Sequence, residues 1–227
     1  MELSIEAASD DTGLALSVDG VVAMMATWVT ERNHSVELLP NIDRLLTEAG
    51  RTKSHVAAIF VDLGPGGYAG LRVGVSIAKA LAHGLGVPIV GVGRLEIDAY
   101  GVARDAGERR IVAVHRAGRG EVAWAAYRSE GGRWTDALAP RMSKPALLHE
   151  AIERGDVVTG DVDDDLAAVA AGPGAAVASA HEHRVVALAA LGAQRLTAGR
   201  ADDAIALVPA YLRAPAIGPQ AAAAKDG

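Results

Sequence analysis

Residues 55–85 constrain this chain more than any other stretch: an apolar run, HVAAIFVDL, then GPGGYAG, then LRVGVSIAKALAHGL. The run over 55–63 has no polar alternation and is rich in β-branched residues, the pattern of a strand buried on both faces and paired in parallel. A parallel strand needs a crossover and helices on both sides, so this segment already demands a layered α/β fold. In the helix after the loop, Leu71, Val75, Ala78, Leu81, Ala82 and Leu85 share one face, and Gly86 and Pro88 end it. Ile89–Val92 is the next buried strand.

The loop 64–74, GPGGYAGLRVG, holds five glycines and one proline. It lacks GxxxxGK[ST], since no lysine follows its last glycine, and the spacing Gly64, Gly66, Gly67, Gly70 is not GxGxxG. Two readings remain. Unpaired N–H groups at the helix start, with Arg72 in its first turn, suit a phosphate; the glycines equally suit positive φ and close helix–sheet packing. Gly74-Val75-Ser76-Ile77-Ala78 half matches a hydrolase elbow but lies within a helical pattern, so Ser76 reads as packing.

Ahead of this unit, residues 2–8, 13–18 and 21–29 read as three antiparallel strands, the last two a hairpin about Asp19-Gly20. A helix follows with Ser35 as N-cap, Leu38, Leu39, Ile42, Leu45 and Leu46 at helical spacing, and Gly50 as its stop. Residues 94–104 form a further helix. The predicted first domain, 1–104, is a mixed sheet covered by helices. A smaller second domain spans 105–183, with strands at 111–115 and 121–128, turns RAGRG and SEGGR, a helix over 144–154 and short elements at 156–159 and 163–171. An amphipathic helix, 184–199, is expected to return to the first domain. Residues 214–227 are expected to be a disordered tail. No repeat of short period is visible.

Half the residues are apolar but only one is Phe, so Ala, Val, Leu and Ile must fill the core. A net charge of −6 argues against independent nucleic-acid binding. Absence of cysteine excludes disulfides and thiolate metal sites. The N-terminus has no signal-peptide pattern and no run approaches the roughly 20 apolar residues of a membrane span, so a cytoplasmic location is expected. Of seven histidines, His181 and His183 are two apart and His149-Glu150 lacks a second histidine at ligand distance, so no metal cluster is expected. Arg109, Arg110, Arg116 and Arg119 surround the first strands of the second domain, either as a solvated edge or along an RNA path.

IFVDLGPGGYAGLRVGVSIAKALAHGLGVPIVGVGRLEIDA resembles the bacterial TsaB (YeaZ) segment of general form GPGSFTGLRIG…K-LA…PI-GV-SLE. ELSIEAASDDTGLAL, HSVELLPNIDRLL, AGRGEVAWAAY and VPAYLR resemble four further family stretches, in order along the chain. The resemblance implies an α/β fold of the actin/Hsp70/sugar-kinase (ribonuclease H-like) group with two subdomains. It implies a non-catalytic scaffold or dimerisation subunit in making tRNA threonylcarbamoyladenosine, paired with the paralogue TsaD and joined by the ATPase TsaE, with tRNA reached only through the complex and a homodimer open to the isolated chain. Leu38, Leu39, Ile42, Leu45, Leu71 and Val75 are then the expected partner interface. TsaD-type sequences carry metal-binding His-x-x-x-His where this chain has Arg94-Leu95-Glu96-Ile97-Asp98. No catalytic residue and no metal are expected here. ATP or ADP is expected only weakly or at a partner interface, with Gly64, Gly66, Gly67, Gly70, Arg72 and Glu6 as its candidate contacts. The family's opening Asp-Thr-Ser is Glu6-Ala7-Ala8 here, and its loop Ser-Phe-Thr is Gly67-Tyr68-Ala69, so hydroxyl donors are lost twice. The alternatives are an ATP-binding phosphotransferase-like protein of the superfamily, a peptidase, or a paralogue outside tRNA modification.

Overall fold

A computed structural model describes residues 1–30, 33–180 and 182–211. The expected disordered tail and His181 lie outside the described residues. The first sheet holds β1 (Glu2–Glu6), β2 (Asp11–Val18), β3 (Val21–Val29), β4 (Ala58–Asp62) and β5 (Ile89–Val92) in the order β3-β2-β1-β4-β5. β1, β2 and β3 are antiparallel; β1, β4 and β5 are parallel. The β2–β3 turn places Asp19 at φ 53° and Gly20 at φ 77°, the two positive angles of a tight hairpin. α1 (His34–Glu48) and α2 (Tyr68–Leu85) cover one face. α1 begins one residue before the expected cap, with Asn33 in that place.

The second sheet is built the same way. β6 (Ile111–Gly118), β7 (Glu121–Glu130), β8 (Arg133–Ser143), β9 (Val157–Gly160) and β10 (Ala176–Val177) lie in the order β10-β9-β6-β7-β8. Each sheet is three antiparallel strands followed by two parallel ones reached through helices. Here the crossovers are α5 (Pro145–Ala151) and α6 (Asp164–Ala171). The hairpin turn at the matching place, Gly131-Gly132, again has two positive φ angles, 55° and 79°. The chain is thus a structural duplication, although its two halves share no readable repeat.

The last helix of each unit crosses to the other. α3 (Arg94–Gly101), continued by the short α4 (Ala103–Ala106), packs on β6, β7 and β9. α7 (Arg184–Thr197) packs on β1, β2, β4 and β5, and α3 and α7 touch each other between the sheets. This arrangement is the actin/Hsp70/sugar-kinase-like α/β class.

Strand alternation distributes the core. Leu3, Ile5, Ile59 and Val61 face α1 and α2 and meet Leu38, Ile42, Leu45 and Val75; Phe60, Val90 and Val92 face α7 and meet Leu188 and Leu191. Each such side chain, fully buried, is worth about 1.5–3 kcal/mol. β8 was not anticipated. It is an edge strand carrying Arg133, Asp136, Pro140 and Arg141, and its register against β7 shifts twice, so its apolar residues show no clean alternation. The expected helix over 94–104 is broken at Val102 into α3 and α4.

Candidate functional site

The alternation that buries Leu3 and Ile5 on one face sends Ser4 and Glu6 to the other. In β4 it sends Phe60 and Asp62 there. β1 and β4 are parallel with Ile5 opposite Val61, so Glu6 and Asp62 finish side by side at the carboxyl ends of their strands. They are 3% and 2% exposed. Glu6 Oε1 accepts from the Ala8 amide at 3.2 Å and Asp62 Oδ1 from the Gly64 amide at 2.7 Å. Asp62 Oδ2 is buried without a hydrogen-bond partner. Burial lifts both carboxyls well above the ordinary carboxylate range, and the charge of Asp62 lifts Glu6 further.

Two arginines face these acids across the seam. Arg94 is the first residue of α3 and Arg184 the first of α7, equivalent places in the duplicated fold. Arg94 is 3% exposed; its Nη2 donates to Asp161 Oδ1 at 2.8 Å, and its Nε lies 3.5 Å from Asp98 Oδ2. Arg184 Nε donates to Asp98 Oδ1 at 2.6 Å. Asp161, just past β9, also pairs with His115 Nδ1. Burial alone would raise the Asp161 carboxyl, but the His115 hydrogen bond and the charges of Arg94, His115 and Arg184 hold it at about 2. A cavity of about 540 Å³ opens beside the seam, with Glu6, Asp98 and Arg184 in its wall.

Arg94 and Arg184 therefore supply, from the chain itself, the positive charge that a cluster of four buried or half-buried acids requires. The pocket's cations are tethered and hydrogen-bonded. Among the described residues no three His, Asp or Glu side chains are arranged to hold a metal ion.

A pH consequence follows from Glu6 and Asp62. Their ordinary values are 4.5 and 3.8, and both are raised in the folded protein. The native state thus holds more protons than the unfolded chain above pH ~4, and stability falls as pH rises through the raised values. Asp62→Asn removes one of the two charges and keeps an acceptor for the Gly64 amide. In urea denaturation it should exceed the parent by about 1 kcal/mol or more at pH 8, with the gap closing toward pH 5. An equal or lower stability at pH 8 would show that the pair is not charged there.

The glycine loop is packed against the end of β1. A Cβ on Gly66 would sit 2.1 Å from the Ala8 carbonyl oxygen, and one on Gly70 would sit 2.4 Å from that of Ala7. The Gly67 amide donates to Ala8 O and the Arg94 amide to Gly64 O, both at 2.7 Å. Gly64 has φ 89°. Of the phosphate candidates, Gly66, Gly67 and Gly70 thus pack against Ala7 and Ala8, just past Glu6, and Gly64 meets the start of α3. Arg72 does not join them: its guanidinium lies 5.3 Å from the Tyr68 ring centroid and bonds the Tyr68 hydroxyl.

The predicted partner interface needs correction. Leu38, Ile42, Leu45, Leu71 and Val75 are all 3% exposed or less. They hold α1 and α2 to the sheet, and aspartate at Leu38 and Leu45 would unfold the chain instead of testing pairing. Leu39 alone of the six is exposed, at 44%. On the same helices Val36 and Tyr68 are also exposed. Ser76, read as a packing residue, lies on the exposed side of α2. Of the four arginines considered for RNA, Arg110 pairs with Asp156 and Glu153, Arg116 forks onto Asp163, and Arg109 caps its own backbone.

A family model described as "TsaD: tRNA N6-adenosine threonylcarbamoyltransferase" matches residues 20–156, more than half of the chain. The tRNA threonylcarbamoyladenosine biosynthesis protein TsaB of Escherichia coli is 34% identical over 160 residues, 69% of each chain. The chain belongs to the TsaB (YeaZ) family. The solved structure of YeaZ from Pseudomonas aeruginosa superposes with a TM-score of 0.76 at 26% identity, over 93% of this chain and all of that one. TsaB of Bacillus subtilis is 38% identical over 95 residues, 41% of each chain. Arg94 and Asp98 are both spent in the ionic seam. Asp62, His115, Asp161 and Arg184 were not visible as site residues in sequence. Their one signal is an acid or base at the end of an apolar strand or the start of a helix.

Proposed function

We propose that this chain is a non-catalytic subunit of tRNA threonylcarbamoyladenosine biosynthesis, pairing with a TsaD-like paralogue and supporting it. A TsaE-like ATPase joins the assembly, tRNA is met only through it, and any ATP or ADP is held only weakly or at a partner interface. The observation that carries the reading is the seam. Arg94 and Arg184 neutralise the acids of the seam from within the chain. What the chain offers outward is surface: Val36 at 71%, Leu39 at 44% and Tyr68 at 49% exposure on the two helices that cover the first sheet. No helix among the described residues is long and apolar enough to cross a membrane.

Co-expression with the TsaD homologue of the same genome, one partner tagged, followed by sizing with light scattering, tests this. A one-to-one complex is expected, and Leu39→Asp with Val36→Asp should weaken it at least tenfold with unchanged circular dichroism. Separate elution of the two wild-type proteins would overturn the proposal.

A further inference from the structure

The cavity of about 540 Å³ beside the seam takes no part in the pairing reading, and no residue of α1 or α2 lines it. Its inner wall is Glu6, Asp98 and the first turn of α7, Arg184 and Val185. α7 opens without a side-chain cap, since His183 at the N-cap position bonds no backbone amide through its ring. The first amides of a helix lack intrahelical partners and carry partial positive charge, so this turn favours a carboxylate, and the Arg184 guanidinium stands beside it. An acceptor lies against that donor group. Asp98 is 5% exposed; its Oδ1 takes Arg184 Nε at 2.6 Å, while its Oδ2 accepts no hydrogen bond and has Arg94 Nε at 3.5 Å. A buried carboxylate oxygen in that condition is a place for a ligand donor. Two further acids of the cavity wall, Asp11 and Glu182, are exposed to solvent and pair with no cation among the described residues.

We propose that this cavity binds a free α-amino acid with a cationic side chain, of the lysine kind. A guanidinium and helix amides beside a carboxylate are the complement of an α-carboxylate beside its α-ammonium. Arg184 and the α7 amides take the first, and Asp98 takes the second. The head group is a zwitterion, so it adds no net charge to a seam already balanced by Arg94 and Arg184. The side-chain ammonium then meets Asp11 and Glu182. Other ligand classes fit less well. A phosphorylated ligand would bring its charge to Asp11 and Glu182, a diamine would set an ammonium against Arg184, and a neutral amino acid would leave the two outer acids unpaired. The volume lies within the usual range of small-molecule sites and leaves room for lysine's four-carbon stem.

Isothermal titration of the full chain with L-lysine should show saturable one-to-one binding. Two analogues separate the contacts. Cadaverine is lysine without its carboxylate, and L-norleucine is lysine without its side-chain ammonium. Each should bind more weakly by on the order of tenfold, the usual loss of one charge-assisted contact. Asp11→Asn combined with Glu182→Gln should weaken lysine several-fold, leave norleucine unchanged and leave circular dichroism unchanged, since both residues are exposed. Thr27→Trp, at an exposed position of the cavity wall, should block lysine and norleucine alike. Cadaverine binding as tightly as lysine would reduce the site to an acidic cluster and overturn the proposal. So would norleucine matching lysine, lysine binding indifferent to Thr27→Trp, or no lysine binding at millimolar concentration. None of these substitutions touches α1 or α2, so failure here leaves the pairing reading standing, and failure of pairing leaves this one.

Discussion

Arg94→Ala is expected to cost about 3–5 kcal/mol of unfolding free energy, the usual loss when one member of a buried ion network is removed. Arg94 touches Asp98 and Asp161 and is the nearest counter-charge, with Arg184, to Glu6 and Asp62. Without it the buried Glu6 and Asp62 are left with Arg184 as their remaining counter-charge. The deficit should be largest at neutral pH and should shrink as pH falls toward 5. There Glu6 and Asp62, whose folded pKa values are already raised and rise further without the guanidinium, take up protons and no longer need it. Urea denaturation at several pH values measures this. A loss below about 1 kcal/mol at pH 7 would mean that the seam is solvated and that the acids do not depend on Arg94. Replacing Arg94, Asp98 and Asp161 together by neutral side chains of similar size should recover part of the loss, since buried ion networks cost nearly as much to desolvate as they return.

Gly192→Ala is expected to destabilise the protein on the order of 2 kcal/mol, opposite in sign to helix propensity, which favours alanine by about 1 kcal/mol. Gly192 lies in α7 directly over the ring of Phe60; an added Cβ would come 2.3 Å from Phe60 Cγ. Phe60 is fully buried in the middle of the first sheet, so the ring has nowhere to go and the helix must lift. Gly84→Ala is the control. It is also helical, nothing lies within 4 Å of its added Cβ, and it should stabilise by about 0.5–1 kcal/mol. Combining Gly192→Ala with Phe60→Leu should recover a measurable part of the cost, a coupling expected only for residues in contact. Equal melting temperatures for the two glycine variants would show that α7 sits farther from the sheet.

Elements carried by local chemistry were legible before the structure. β4, the glycine loop and α2 follow from an uninterrupted apolar run, a φ-permissive turn and a helical stripe. The β2–β3 hairpin follows from Asp19-Gly20, whose positive φ angles few other pairs adopt. β8 was illegible because an edge strand needs no buried face: its Pro140 and its register shifts are tolerated where solvent covers one side. The expected interface failed for a related reason. Helical spacing shows that Leu38, Ile42, Leu45, Leu71 and Val75 share faces, but a stripe looks the same whether it meets a sheet or a partner.

By itself, the sequence determined a layered α/β chain, a glycine loop without phosphate-binding lysine or hydroxyls, no cysteine chemistry and a resemblance to one family. The tertiary structure alone decided the duplication, the exchange of α3 and α7 between the sheets, and the meeting of Glu6, Asp62, Arg94, Asp98, Asp161 and Arg184. The physical reason is range. Turns and helical faces are set by neighbours a few residues apart. Asp161 and Arg94, by contrast, are 67 positions apart and meet only because two sheets each bury a helix from the other. A buried charge has no local signature, for its environment is made by residues distant in sequence.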